Sequence, residues 1–315
     1  MFDKMKEKAR QKKIDKIEAE QCKYNKIKPA TNVIFNIILA FLAFLAVVPF
    51  VFVIAISLTN EQALRTYGYS FIPKEFSVSS YSYIIKAGSD IIRSYGVTIT
   101  ITVVGTIIGV LLIGTYAYAL SRKTYAYRKF FTIVITIPMM FGGGMVATYM
   151  IIARLLHLTN TLWALILPMA MNSFNIIVLR TFFNTSIPDA VVESAKIDGA
   201  SEWRLFFQIV IPMSLPGFAT IALFLTLGYW NDWFNALLYI EESSLKPLQS
   251  LLMSIESNMQ FLKSEGLKLG LSVQDMPEES LRMAIVVIST LPILVAYPFF
   301  QRYFVNGLTV GAVKG

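Results

Sequence analysis

The chain has 315 residues, 55% of them hydrophobic, with a mean hydropathy of +0.59 and a formal net charge of +8. Soluble chains of this length are more evenly divided between apolar and polar residues, so the composition points to an integral membrane protein. One cysteine, Cys22, and one histidine, His157, leave nothing within one chain for a disulfide, a thiolate metal site or a histidine cluster.

Residues 1–30 read as a basic cytoplasmic tail, with ten Lys/Arg against five acidic residues up to Lys28. Such a tail is solvated and held near anionic lipid. It is too long and too polar to begin a signal peptide, and no small-x-small cleavage site follows the first apolar run, which is therefore an uncleaved span. That span covers about residues 31–58, with Pro49 as its kink. A polar segment follows as far as Arg93, with enough aromatics to fold onto the membrane face.

The second span, about 94–120, carries Gly105 and Gly109, a small-xxx-small pair that lets another helix approach closely. Arg122, Lys123, Arg128 and Lys129 crowd residues 121–129, a cytoplasmic marker. The third span, about 130–152, is interrupted by Pro138 and by Gly142, Gly143 and Gly144. Each glycine costs about 1 kcal/mol relative to alanine in a helix. Irregular backbone at that depth is tolerated only against protein or water, so this span is expected to face the bundle interior. A turn at 153–161 holds His157, expected at a helix end near the membrane surface.

The fourth span, about 162–183, contains Pro168, Asn172 and Asn175. Two amides at that depth must face other helices or a wet cavity, while Arg180 snorkels to the inner surface. The fifth span, about 213–234, ends Y-W-N-D-W-F-N. Tyr229, Trp230, Trp233 and Asn235 fit an interfacial aromatic belt; alternatively Trp230, Asn231 and Asp232 meet a polar substrate at the outer mouth. Residues 239–282 form a long polar loop, with seven acidic and four basic residues between Glu241 and Arg282. The sixth span covers about 283–303, and 304–315 is a carboxyl-terminal tail. Six spans put 19 of the 28 Lys/Arg on the side of the two tails, the 121–129 turn and the 184–212 loop, which makes that side cytoplasmic. Charge that follows the loops in this way speaks against nucleic-acid binding.

The loop at 184–212 has explicit local chemistry. Pro188 opens a helix and Asp189 suits its positive end. Ile187, Val191 and Ala195 share a face at i, i+4 spacing. Asp198 and Gly199 close the helix. Ser201 caps a second one, where the Trp203/Phe207 and Phe206/Val210 pairs make a large apolar face; Pro212 and Pro216 end it. The pattern suits either a knob that docks another protein or an amphipathic connector lying on the bilayer. No phosphate-binding glycine loop and no paired His/Glu metal motif occurs. No Asp, Glu or His falls near the middle of a span, which weakens an ion-coupled mechanism.

Glu193, Ser194, Ala195, Asp198, Gly199, Ala200, Phe206, Ile209, Pro212 and Pro216 resemble the "EAA" loop of permease subunits of binding-protein-dependent ABC importers. The chain departs from that pattern once, at Ser194. The stretch from Gly142 to Pro168 and the ending N-G-L-T-V-G-A-V-K-G look like the sugar-type branch, closest to Gram-positive oligosaccharide and polysaccharide permeases. The resemblance implies an all-α membrane protein of the type I importer permease fold, with six transmembrane helices and both termini cytoplasmic. It implies a coupling helix in a groove of the ATPase, with Trp203 beside the motif residues. It also implies carboxyl-tail contacts with the ATPases through Asn306, Gly307, Gly311 and Lys314, and contact of the 239–282 loop with the binding protein. The implied partners are a second permease subunit, two ATPase subunits that use ATP and Mg, an extracellular solute-binding lipoprotein, membrane lipid and an oligosaccharide. This chain itself is expected to bind no cofactor or metal and to be no enzyme. For the sugar path, Asn172, Asn175, Trp230, Asn231 and Asp232 offer amides, an aromatic face and a carboxylate. A peptide or amino-acid importer and an ion-coupled carrier are the alternatives.

Overall fold

The computed structural model describes residues 29–86, 89–268 and 278–312, with side chains up to 261 in the second stretch and up to 301 in the third. The chain divides into two units, residues 1–55 and 56–315. The first contains most of α1 (Pro29–Ser57), a long apolar helix that carries Pro49 internally. The second contains the rest of the fold. The described residues hold helices and one isolated bridge, between Thr59 and Phe76, with no strand.

Three helices are long and apolar enough to cross a membrane: α1, α4 (Ser89–Ser121) and the Glu279–Gln301 part of α14 (Glu279–Ala312). Two further candidates are bent pairs. Trp163–Ala170 (α7) and Ser173–Ser186 (α8) meet at 47°, and Glu202–Met213 (α10) and Leu215–Trp230 (α11) meet at 84°. The first break follows Pro168, which removes a backbone donor, and Asn172 then restarts the helix by accepting from the N–H of Phe174 at 2.9 Å and of Asn175 at 3.3 Å.

α4 is the central rod. α11 packs along it because glycine removes the side chain where they touch. A Cβ on Gly105 would lie 2.5 Å from the Tyr229 ring; one on Gly109 would lie 2.7 Å from Leu225 and 2.9 Å from the carbonyl oxygen of Ala170. Tyr229 is fully buried there and donates to the Ile166 carbonyl at 2.8 Å. Gly105 and Gly109 thus act as the packing glycines the sequence suggests, tolerated because they let large partners in.

The glycine run also breaks its span as expected. α5 (Arg128–Met140) ends at an extended Phe141, and α6 (Gly144–Leu155) restarts at Gly144, whose φ of +77° favours glycine. The placement differs from the expectation. Residues 137–151 are exposed, so the irregular backbone is not enclosed by the other helices of the 56–315 unit. Irregular backbone at membrane depth needs a protein or water neighbour.

The described parts of both polar segments contain helices. α2 (Glu61–Tyr67) offers a buried carboxylate to the start of α14: Glu61 Oε2 accepts from Ser280 N at 3.2 Å and Ser280 Oγ at 2.9 Å. The 239–282 loop contains α13 (Leu248–Lys268), whose Leu248, Leu252 and Met259 pack with Ile84, Trp230, Leu281 and Ile285.

Candidate functional site

The site is built on α9 (Asp189–Ile197), a tight turn and α10. Asp198 N donates to Ser194 O, Gly199 N to Lys196 O and Ala200 N to Ala195 O, all at 3.0 Å. Gly199 takes a φ of +77°, the left-handed conformation that such a helix end requires. Ser201 Oγ accepts from Arg204 N at 3.3 Å and so caps α10, while Lys196 Nζ meets Glu202 Oε1 across the turn at 2.7 Å. Within α10 the segment Phe206–Val210 widens to a π-helical turn. Pro212 follows it; proline lacks an N–H and its ring would strike the carbonyl four residues earlier, a cause of such widening.

The second helix has two faces where the pairing of aromatics suggests one. Leu205, Phe206 and Val210 point into the same core as Val192 and Ala195, together with Ile113, Ala117, Tyr118 and Phe218 of the transmembrane helices. Phe206 is 2% exposed, with its ring 5.2 Å from Tyr118 and 6.4 Å from Phe218. On the other side Ile197 is 85% exposed, Trp203 67% and Phe207 49%, with Trp203 and Phe207 stacked at 6.1 Å. Glu193, Ser194, Asp198 and Gly199 are exposed; Ala200 and Ile209 are half-buried. Ala195 and Phe206, grouped with the coupling residues, therefore face the chain's own interior and position the loop. The reason is helical periodicity: 203 and 207 share one side, 206 and 210 the next.

The loop is tied to α4 and the basic turn after it. Tyr118 OH donates to Glu202 Oε2 at 2.5 Å, the Arg122 guanidinium lies 5.0 Å over the Tyr118 ring, and Lys123 Nζ meets Asp189 Oδ2 at 2.6 Å. The hydrogen bond from Lys123 holds the Asp189 carboxyl below its ordinary range. Those from Lys196 and then Tyr118 do the same for Glu202. Sequence reasoning missed Tyr118, Lys123 and Glu202 as partners. The available signal was the density of cations at 121–129 opposite a loop opening with Asp189, without any way to fix the pairing.

The residues assigned to a sugar path have local structural roles. Asn172 caps α8. Asn175 is buried at 7% exposure. Trp230 Nε1 donates to the Ser289 carbonyl at 2.9 Å, and Asn231 Nδ2 to Leu227 O at 3.0 Å. Asp232 accepts from Asn235 N at 3.1 Å and from its side chain at 3.0 Å beside the start of α12 (Phe234–Tyr239). Tyr229 and Trp230 are buried among helices and do not form an exterior belt; Trp233 is exposed. At the carboxyl end the helical backbone continues through Asn306, Gly307 and Gly311 to Ala312. Lys314 and the tail up to Lys28 lie outside the described residues.

The sequence pattern of the family described as "Binding-protein-dependent transport system inner membrane component" matches residues 105–310, which include α9, its turn and α10. The chain belongs to that family. Protein LplC of Bacillus subtilis is 40% identical to it over 271 residues, covering 86% of this chain and 90% of LplC. The polygalacturonan/rhamnogalacturonan transport system permease protein YtcP of the same organism is 39% identical over 283 residues, covering 90% and 97%. Among solved structures, a chain of a bacterial ABC transporter involved in the import of the acidic polysaccharide alginate superposes with a TM-score of 0.72 at 28% identity, covering 89% of this permease and 99% of that chain. The permease is thus a multi-pass membrane subunit of a binding-protein-dependent ABC importer, and not itself an enzyme.

Proposed function

We propose that this permease forms one half of the membrane pathway of an oligosaccharide importer and that the α9–α10 pair is the lever its ATPase partner moves. The observation that carries the reading is the two-faced loop. Trp203 and Phe207 of α10 are presented outward as a stacked apolar pair, with Ile197 of α9 also exposed, while Phe206 and Val210 key α10 into the transmembrane core. A force on the outer face must move the inner one, and the ties from Asp189 and Glu202 carry it to α4.

Six crossings with both termini cytoplasmic complete the proposal, the sixth being α5 and α6 taken as one broken span. Charge asymmetry supports this orientation. The exposed break at 141–144 supports a second permease subunit, which would cover it and share the path. Two ATPase subunits that use ATP and Mg, and an extracellular binding lipoprotein, complete the assembly. An oligosaccharide cargo is supported by the names of the relatives above. A contact for the sugar, in addition to Asn172, Asn175, Trp230, Asn231 and Asp232, is the outer-end pocket of about 220 Å³ between α6 and α12. There Tyr149 stacks on the buried Tyr239 at 5.8 Å beside Arg154 and Glu241, while Asn160 Oδ1 accepts from Glu241 N at 2.7 Å and Glu242 N at 3.1 Å. An aromatic ring beside charged hydrogen-bonding groups suits a polyol.

The test is uptake of labelled oligosaccharide by proteoliposomes containing the co-purified importer. Uptake is expected to need ATP hydrolysis and to fall at least tenfold in Trp203→Asp with the amount of inserted permease unchanged. Uptake that persists with a hydrolysis-deficient ATPase would favour the ion-coupled alternative.

A further inference from the structure

Beside the coupling loop, at the start of α5, lies a cleft of about 810 Å³ lined by Lys123, Arg128, Lys129, Arg180, Thr132 and Ile133. A second cavity of about 450 Å³ adjoins it through Lys123 and Arg128 and reaches Asp189. Lys123 is paired with Asp189, but among the described residues Arg128, Lys129 and Arg180 have no carboxylate within ion-pair distance.

The helix end in this cleft is also unusual. α5 begins at Arg128 with no acidic residue in its first turn and no side-chain cap from Tyr127. Two cations instead occupy the positive end of the helix dipole, an arrangement that repels itself unless an anion is present. One turn along, the same helix exposes Phe130, Ile133, Val134 and Ile137. A ligand that satisfies all of this carries an anionic head and an apolar body.

We propose that this cleft is a binding site for an acidic phospholipid, whose headgroup phosphate lies among Arg128, Lys129 and Arg180 and whose acyl chains run along the exposed face of α5. Basic pockets between helices at the cytoplasmic surface suit this chemistry. Arginine adds planar two-pronged donation to phosphate. The proposal rests on the cytoplasmic placement of residues 121–129 given above. Its consequence is regulatory: Lys123 borders both cavities and holds Asp189, so a bound headgroup bears on the anchor of the coupling loop.

The test uses the intact importer complex in nanodiscs of phosphatidylcholine carrying trace spin-labelled phosphatidylglycerol or spin-labelled phosphatidylcholine. The immobilised fraction of phosphatidylglycerol should exceed that of phosphatidylcholine. The Arg128→Gln/Arg180→Gln variant should lower that preference about 25-fold, taking roughly a fivefold contribution per surface cation. Should that variant not assemble, Lys129→Gln alone should lower it about fivefold. Thermal unfolding in pure phosphatidylcholine should be the same for variant and parent, separating lipid loss from misfolding. Equal immobilisation of the two lipids by the parent overturns the proposal, as does full displacement by inorganic phosphate, which would make the ligand free phosphate. Unchanged lipid preference with weakened ATPase retention also overturns it, in favour of a protein contact. The lever reading stands or falls separately, on uptake by Trp203→Asp.

Discussion

At the residue scale, Trp203 and Phe206 are three positions apart and belong to different interfaces. Phe206 is buried against Tyr118 and Phe218, and a Cβ on Gly114 would come within 3.5 Å of it, so the pocket closes tightly round the ring. Phe206→Ala should cost about 3–5 kcal/mol of stability, as other buried phenylalanines do. Trp203 is mostly exposed, and Trp203→Ala should change stability by no more than about 0.5 kcal/mol. Its effect should appear in retention of the ATPase during co-purification. Thermal unfolding in detergent measured beside ATPase retention separates the two. Equal effects of the two substitutions on both readouts would contradict the two-faced helix.

At the scale of the element, the coupling loop is held by carboxylates, which gives a signed pH dependence. Asp189 and Glu202 are both held below their ordinary values of 3.8 and 4.5. A depressed carboxylate contributes stability that is present above the ordinary value and is lost as pH falls through the folded one. Hydrogen exchange of residues 184–212 should therefore, after correction for intrinsic rates, be level between pH 7 and 5 and accelerate only below about pH 4. Asp189→Asn should remove part of that acid step. Loosening between pH 7 and 5 would contradict the assignment. Most of this element was legible in the sequence: Pro188, Asp198, Gly199 and Ser201 each mark a local conformation, and local conformation depends on neighbours in the chain. The tertiary ties were not, because Tyr118 and Glu202 are 84 positions apart and no pattern links them. The helix Leu248–Lys268 was missed for another reason. Its apolar stripe at Leu248, Leu252, Ile255 and Met259 keeps helical spacing, but surrounding polar residues give it the composition of a loop. For the fifth span, end position alone suggested a belt at Tyr229 and Trp230, whereas Gly105 across the interface makes the space that buries Tyr229.

At the scale of the whole molecule, the described residues leave three features incomplete. The break at residues 141–144 exposes irregular backbone and apolar side chains to whatever neighbours that face. The stacked Trp203 and Phe207, with Ile197 exposed on α9, are a second exposed apolar feature, and the cation-lined cleft at the start of α5 is the third feature. A subunit of a larger assembly is expected to look this way, since exposed apolar patches and unmatched charge mark interaction surfaces. The account reduces to one requirement: the outer face of α9 and α10 must lie inside the cell and under an ATPase. The most direct measurement is thiol labelling of Ile197→Cys in a Cys22→Ser background, in cells producing the complete importer. A membrane-impermeant maleimide is predicted to leave this position unlabelled in intact cells. In inverted vesicles it should label it only after the ATPase subunits are stripped away. Labelling from outside intact cells, or undiminished labelling beneath bound ATPase, would contradict the account.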